Sequence, residues 1–119
     1  MSAPANLSEI AQRLSELSRD LDKQTGEAEG LDLKAVRAKH AYEIAYANAF
    51  LTSDGAMDVR KQKAILATDR DKLDAEIAEQ VLRACRARIG TIKVQIDTGR
   101  SLSAAIRAEV SLAGSGITP

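Results

Sequence analysis

The residue types that most often carry chemistry are scarce in this chain of 119 residues, which has one histidine, His40, and one cysteine, Cys85. A lone histidine has no partner for a metal site, and Cys85 has no neighbouring base, so we expect it to be a small buried residue. No phosphate-binding loop, dinucleotide fingerprint or zinc motif is present. The sequence therefore predicts a protein that is not an enzyme and that takes no cofactor, metal or small molecule.

The aromatic residues Tyr42, Tyr46 and Phe50 recur every four positions, so on a helix they lie along one side. Such a series can stack single-stranded bases, or it can form the bulky part of a contact between helices. The second interpretation is favoured, because the three residues lie on or beside an alanine face and Lys39 is the only basic residue near them.

Basic residues form a stripe at heptad spacing near the C-terminus. The stripe comprises Arg86, Lys93, Arg100 and Arg107, with Arg83 beside it. Phosphate binding is one interpretation, and a solvated face paired with the acidic start of the chain is the other. The second is favoured because the chain has 17 basic and 17 acidic residues, whereas dedicated nucleic-acid binders are strongly basic.

An N-terminal amphipathic helix is predicted within residues 1–26, because five apolar residues alternate spacings of three and four as in a short coiled coil. They are Leu7, Ile10, Leu14, Leu17 and Leu21. Gly26 and Gly30 predict a hinge after this helix.

A helical hairpin is predicted over residues 31–112. Its first helix presents Ala38, Tyr42, Ala45, Tyr46 and Ala49 on one face, with Phe50 at the edge, and Thr52 to Gly55 form the turn. The next helix begins near Met57. A break at Thr98-Gly99, followed by a fourth helix to Leu112, is one interpretation, but a helix that continues through Gly99 with or without a kink is favoured because the apolar pattern stays in phase. It carries an apolar stripe, which comprises Leu73, Ile77, Val81, Ala84, Ile92, Ile96, Leu102, Ile106 and Val110. Residues 113–119 are predicted to be a flexible tail.

Arg88 falls inside that stripe, where a charge is costly unless it is paired. One interpretation is that it meets Glu43 or a carboxylate of another subunit and so fixes the register of the helices, and the other is that it marks a seam that is not closed in the monomer.

The fold class that follows is all-α: a long, antiparallel, coiled-coil-like hairpin with an additional N-terminal helix. Alanine buries little area, so such a chain closes its own core poorly and a homo-oligomer is expected. The residues expected to contact another copy or a partner are Leu7, Ile10, Leu14, Leu17, Leu21, Ala38, Tyr42, Ala45, Tyr46, Ala49, Phe50, Leu73, Ile77, Val81, Arg88, Ile92 and Ile96. With no signal peptide and no membrane span in the sequence, a cytoplasmic protein is expected.

Several short motifs give the chain a family resemblance over about residues 35–112. They are Tyr42-Glu43, Tyr46-Ala47, Thr52 to Gly55, Arg60-Lys61, Gln95 to Ser103 and Ile106 to Glu109. In these the chain resembles small helical proteins encoded by bacteriophages near recombination and replication genes.

The resemblance implies an accessory role in phage DNA metabolism with a phage or host protein partner, in the cytoplasm of the host cell. It assigns no functional residue. The leading hypothesis is a non-enzymatic adaptor that acts through helix-mediated protein contacts. Direct nucleic-acid binding by the basic stripe, or a structural or assembly role in the virion, are the alternatives.

Overall fold

Three helices account for nearly all of residues 6–114, the part of the chain that the computed structural model describes. They are α1 (Leu7–Thr52), α2 (Met57–Ala67) and α3 (Asp69–Gly114). The predicted all-α class with an antiparallel helical hairpin is confirmed. Two compact units divide the chain: a terminal unit, Met1–Thr25 with Ala87–Pro119, and a turn unit, Gly26–Arg86.

Helix α1 begins at a side-chain cap and does not break where the glycines predict a hinge. The backbone N–H of Glu9 donates to Oδ1 of Asn6 at 2.9 Å, which satisfies one free donor of the first turn. The helix then runs through Gly26 and Gly30, so the predicted N-terminal helix is the first part of α1. Each glycine costs about 1 kcal/mol relative to alanine, but residues on both sides keep one heptad pattern of burial, which favours a continuous helix.

Both long helices turn a heptad series of residues inward, with spacings of three and four throughout. On α1 the buried and half-buried members are Leu7, Ile10, Leu14, Leu17, Leu21, Gln24, Ala28, Leu31, Ala35, Ala38, Tyr42, Ala45 and Ala49. On α3 they are Asp71, Ala75, Ala78, Leu82, Cys85, Ile89, Ile92, Ile96, Gly99, Ser103 and Ile106. This repeat is that of a coiled coil.

The core of the terminal unit consists of Leu17, Ile92 and Ile96, with Leu14 and Leu21 packed against it. Leu14 lies beside Gly99, while Gln24, further along α1, meets Arg88, which comes earlier in α3. Residue numbers therefore rise along one helix as they fall along the other, and the pair is antiparallel.

The core of the turn unit is built from smaller side chains: Ala35, Ala78 and Leu82, with Leu31 and Ala38 against them. Gly55, with φ of 111°, supplies the left-handed backbone that the turn between α1 and α2 requires. Alanine allows the helices to approach closely but buries little apolar area, so this core contributes little hydrophobic stabilisation.

The predicted helix from Met57 to the C-terminus is wrong at one point, because α2 and α3 are separated at Thr68. The Thr68 hydroxyl donates to the carbonyl oxygen of Ala64 at 2.7 Å, and its backbone leaves the helical region at φ −115° and ψ 14°. This back-bonding competes with the helical pattern, and Asp69 and Asp71 favour the positive end of a new helix dipole. Helix α3 continues through Gly99, as predicted, and through 113–114 of the predicted tail, while 115–119 lie outside the described residues.

Candidate interaction surfaces

Many of the residues predicted to contact a partner are buried or half-buried within the chain. Ile10, Leu17, Ile92 and Ile96 are buried, and the others of this group are half-buried. The half-buried ones are Leu7, Leu14, Leu21, Ala38, Tyr42, Ala45, Tyr46, Ala49 and Phe50. The sequence pattern identified an amphipathic face, and within the chain another helix covers much of it; contact of the half-buried residues with another molecule stays a prediction.

The predicted apolar stripe of α3 is out of phase with the buried face in the turn unit. Leu73, Ile77 and Val81 are 47%, 51% and 44% exposed, whereas Ala78 and Leu82 point inward. On a helical wheel drawn at 100° per residue, the predicted apolar face drifts by about 20° per heptad from the face that a coiled coil buries. Such a wheel also places the apolar face where the large side chains are. Here the inward positions are held by Ala75, Ala78 and Leu82, so two of the three are small and the larger Ile77 and Val81 stand outside.

Leu73, Ile77 and Val81 form an apolar ridge along one side of α3. Ile77 and Val81 also line a groove of about 330 Å³ whose wall on α1 includes Leu31 and Ala38. Lys34 and Asp74 stand on opposite helices of this groove and give it one charge of each sign. The turn unit thus exposes a continuous apolar surface with a polar margin, which is the composition of a docking face for a helix.

Arg83 and Arg86, two of the predicted phosphate-binding residues, lie in the turn unit beside carboxylates. Arg86 Nη2 is 3.7 Å from Asp32 Oδ1, and Arg83 Nη2 is 4.0 Å from Glu79 Oε2. All four side chains are largely exposed, so each pair contributes little stability, about 0–1 kcal/mol. They line a cavity of about 390 Å³ whose charged residues balance in sign, so this part of the stripe is not a strongly basic surface.

Lys93, Arg100 and Arg107, which we call the basic row, lie in the terminal unit and differ from the two arginines above. All three are exposed, and among residues 6–114 no ion pair joins any of them to a carboxylate. The predicted pairing of these cations with the acidic start of the chain is therefore not found in the part that the structure describes.

The aromatic residues pack within the turn unit. The rings of Tyr42 and Tyr46 meet edge to face, with centroids 6.3 Å apart and planes at 61°. The guanidinium carbon of Arg60 lies 4.7 Å from the centre of the Phe50 ring. Lys39 is therefore not the only basic residue near the series. Sequence reasoning missed Arg60, because only the turn brings it back to Phe50.

Arg88 is exposed and does not lie in an apolar interface within its unit. Its Nε donates to Oε1 of Gln24 at 3.4 Å, and no carboxylate among the described residues pairs with it. Arg88 is therefore not buried within its unit, because the inward residues around it on α3 are Cys85, Ile89 and Ile92, and its pairing with a carboxylate of another subunit stays a prediction.

His40 is exposed, and Cys85 is fully buried, as expected for the cysteine. Within residues 6–114 no three histidine, cysteine, aspartate or glutamate residues cluster as a metal ion would require. None of the described helices combines the length and the apolar character needed to cross a membrane.

Comparisons with protein-family models, with curated proteins and with solved structures give no significant match to this chain. The resemblance to phage-encoded helical proteins therefore stays a prediction.

Proposed function

We propose that this protein is a non-enzymatic helical adaptor that associates with itself through the turn unit and contacts a protein partner as an oligomer. The observation that carries the proposal is the apolar ridge and the groove beside it. Eleven of the fifteen large apolar side chains that are exposed among the described residues lie in the turn unit, although its own core is mostly alanine.

Burial of this surface against another molecule would add hydrophobic stabilisation that the mostly alanine core of the turn unit does not provide. Complete burial of a leucine, isoleucine or valine side chain is worth about 1.5–3 kcal/mol, so covering the half-exposed ridge contributes about 1 kcal/mol for each member. Two copies that meet face to face bury two ridges and two groove walls at once. The gain is then comparable to that of a small core.

Charge favours a second copy as the occupant. Lys34 and Asp74 are on opposite sides of the groove, on antiparallel helices. Two such surfaces can face each other about a two-fold axis parallel to the helices. The rotation places α1 of one copy opposite α3 of the other, so Lys34 of one copy lies on the same side as Asp74 of the other. Helix α1 then packs against α3 of the other copy in an antiparallel direction, which completes a four-helix bundle.

The mass of the native protein, measured by sedimentation equilibrium over a range of concentrations, tests self-association. The wild type is expected to form a dimer or a larger oligomer, and the double variant Ile77→Ser/Val81→Ser to shift towards monomer while its circular dichroism stays helical. The matched control is Leu33→Ser/Val94→Ser, which removes two exposed apolar residues elsewhere and should retain the wild-type mass. A wild type that is monomeric and stable at all concentrations contradicts the proposal.

The biological setting that we propose, phage DNA replication or recombination in the host cytoplasm, is supported by the family resemblance alone. Affinity capture from infected cells, with the ridge variant and its control as paired baits, tests it. Specific loss of one replication or recombination protein from the ridge variant supports this setting. Capture of capsid or tail proteins in its place would favour a role in virion assembly.

A further inference from the structure

The basic row of the terminal unit lies along one edge of the antiparallel helix pair. On α3 its members directly follow the inward residues Ile92, Gly99 and Ile106. In an antiparallel coiled coil, residues that follow the equivalent inward positions of both helices share an edge. On α1 these are the residues after Ile10, Leu17 and Gln24, namely Ala11, Ser18 and Thr25.

The turn unit shows what the same edge looks like when its charge is compensated. There Asp32 follows the inward residue Leu31, Arg86 follows Cys85, and their side chains approach to 3.7 Å. In the terminal unit the α1 positions of this edge hold two hydroxyls and a methyl group but no carboxylate. Three cations are therefore presented in line, about 10 Å apart at the helical rise of 1.5 Å per residue, with no acid opposite them.

We propose that this edge binds the phosphodiester backbone of a nucleic acid. Lys93, Arg100 and Arg107 would contact phosphate oxygens, and the hydroxyls of Ser18 and Thr25 would donate further hydrogen bonds to them. No base-reading group is implied, so the binding is independent of sequence.

The composition of the edge favours phosphate over an acidic protein surface. A protein interface needs an apolar core, but the large exposed apolar residues near this stretch of α3 lie elsewhere. By helical spacing, Val94 is on the outer face and Leu102 on the opposite edge. Nucleic-acid interfaces are more polar and more basic, as this edge is.

Two acids limit the strength of the binding. Asp22 and Asp97 lie one position further out on the same edge by helical spacing. Three phosphate contacts release few counterions, so the logarithm of affinity should fall with a slope of no more than about 3 against the logarithm of salt concentration. A single protein chain thus binds weakly, and an oligomer that presents several rows binds more tightly.

Fluorescence anisotropy with a labelled oligothymidylate and a labelled duplex, in a salt series starting at low ionic strength, tests the proposal. The wild type should bind both probes, and Arg100→Gln/Arg107→Gln should lose about tenfold or more in affinity, with the salt slope lower by about 1 for each contact removed. The control, Arg19→Gln/Lys23→Gln, removes the same charge from exposed α1 residues off this edge and should bind within about twofold of the wild type.

Failure to bind either probe at low salt overturns the proposal, as does an equal loss in the row variant and the control. If neither probe binds but polyglutamate does, and the row variant abolishes that binding, the edge recognises acidic protein. Sedimentation of the same variants separates these results from self-association, because the row variant keeps the apolar ridge intact and should retain the wild-type mass.

Discussion

Arg60 holds Phe50 across the turn between α1 and α2 by two separate interactions. Its Nε and Nη2 donate to the Phe50 carbonyl oxygen at 3.3 and 3.1 Å, and its guanidinium carbon lies 4.7 Å from the centre of the Phe50 ring. The carbonyl belongs to the last turn of α1, where the backbone supplies only a long hydrogen bond, from the N–H of Ser53 at 3.4 Å. One side chain thus caps the first helix from the start of the second and fixes the geometry of the turn.

Replacement of this arginine tests the cap. Arg60→Ala is expected to lower the free energy of unfolding by about 1–3 kcal/mol, since it removes charged hydrogen bonds and a cation–π contact. Lys61→Ala, at the exposed neighbouring position, should change it by less than about 0.5 kcal/mol. Urea unfolding followed by circular dichroism measures both, and equal stability of the two variants would contradict the cap.

Two glycines of α3 provide a second test, in which substitution should raise the stability of the protein rather than lower it. A Cβ atom added at Gly90 meets nothing within 4 Å, so Gly90→Ala should stabilise the protein by about 1 kcal/mol through helix propensity alone. At Gly99 the same atom would lie 2.8 Å from Cδ2 of Leu14, so that side chain must move and part of the gain is lost.

Thermal unfolding of the two glycine variants should therefore rank Gly90→Ala above Gly99→Ala. In the double variant Gly99→Ala/Leu14→Ala the crowding disappears, so Gly99→Ala should gain more stability in that background than in the wild type. Identical gains at both glycines would show that Leu14 does not restrict Gly99.

Periodicity was enough to predict the helical class and the turn near Gly55, and it favoured, without deciding, the continuity of α3 through Gly99. It was not enough at Gly26 and Gly30, where the low helix propensity of two residues is outweighed by inward contacts on either side. The break at Thr68 coincides with a hydroxyl that donates to the carbonyl oxygen of Ala64, but Thr91 makes the same kind of bond to Ala87 inside the unbroken α3, so neither the hydrophobic pattern nor the residue type marks the break.

The candidate surfaces were harder to predict, because they depend on which face the chain itself covers. The basic residues were recognisable as a stripe, but only the fold separates Arg86, beside Asp32, from Lys93, Arg100 and Arg107. Likewise Ile77 and Val81 were expected at an apolar contact, yet the inward position belongs to Ala78 and Leu82. The heptad phase, which the sequence alone did not fix here, therefore decides which apolar residues are exposed.

The contrast between core and surface leucines can be measured directly. Leu17 is 4% exposed and packs with Ile92 and Ile96, whereas Leu66 is 78% exposed. Leu17→Ala should cost about 2–5 kcal/mol through lost burial and a residual cavity, and Leu66→Ala should cost less than about 0.5 kcal/mol. Chemical unfolding measures both. Comparable costs would mean that the terminal unit does not pack around Leu17.

Cys85 gives a probe of how the paired helices open, because its side chain is fully buried on the inward series of α3. A thiol reagent such as dithionitrobenzoate needs the sulfur exposed, so the native protein should react far more slowly than the protein in denaturant. Ile77→Ser/Val81→Ser should speed labelling if association through the ridge protects the helices, because monomers open more often. Rapid labelling of the native wild type, equal to that in denaturant, would place Cys85 on an accessible surface and contradict the inward heptad assignment of α3.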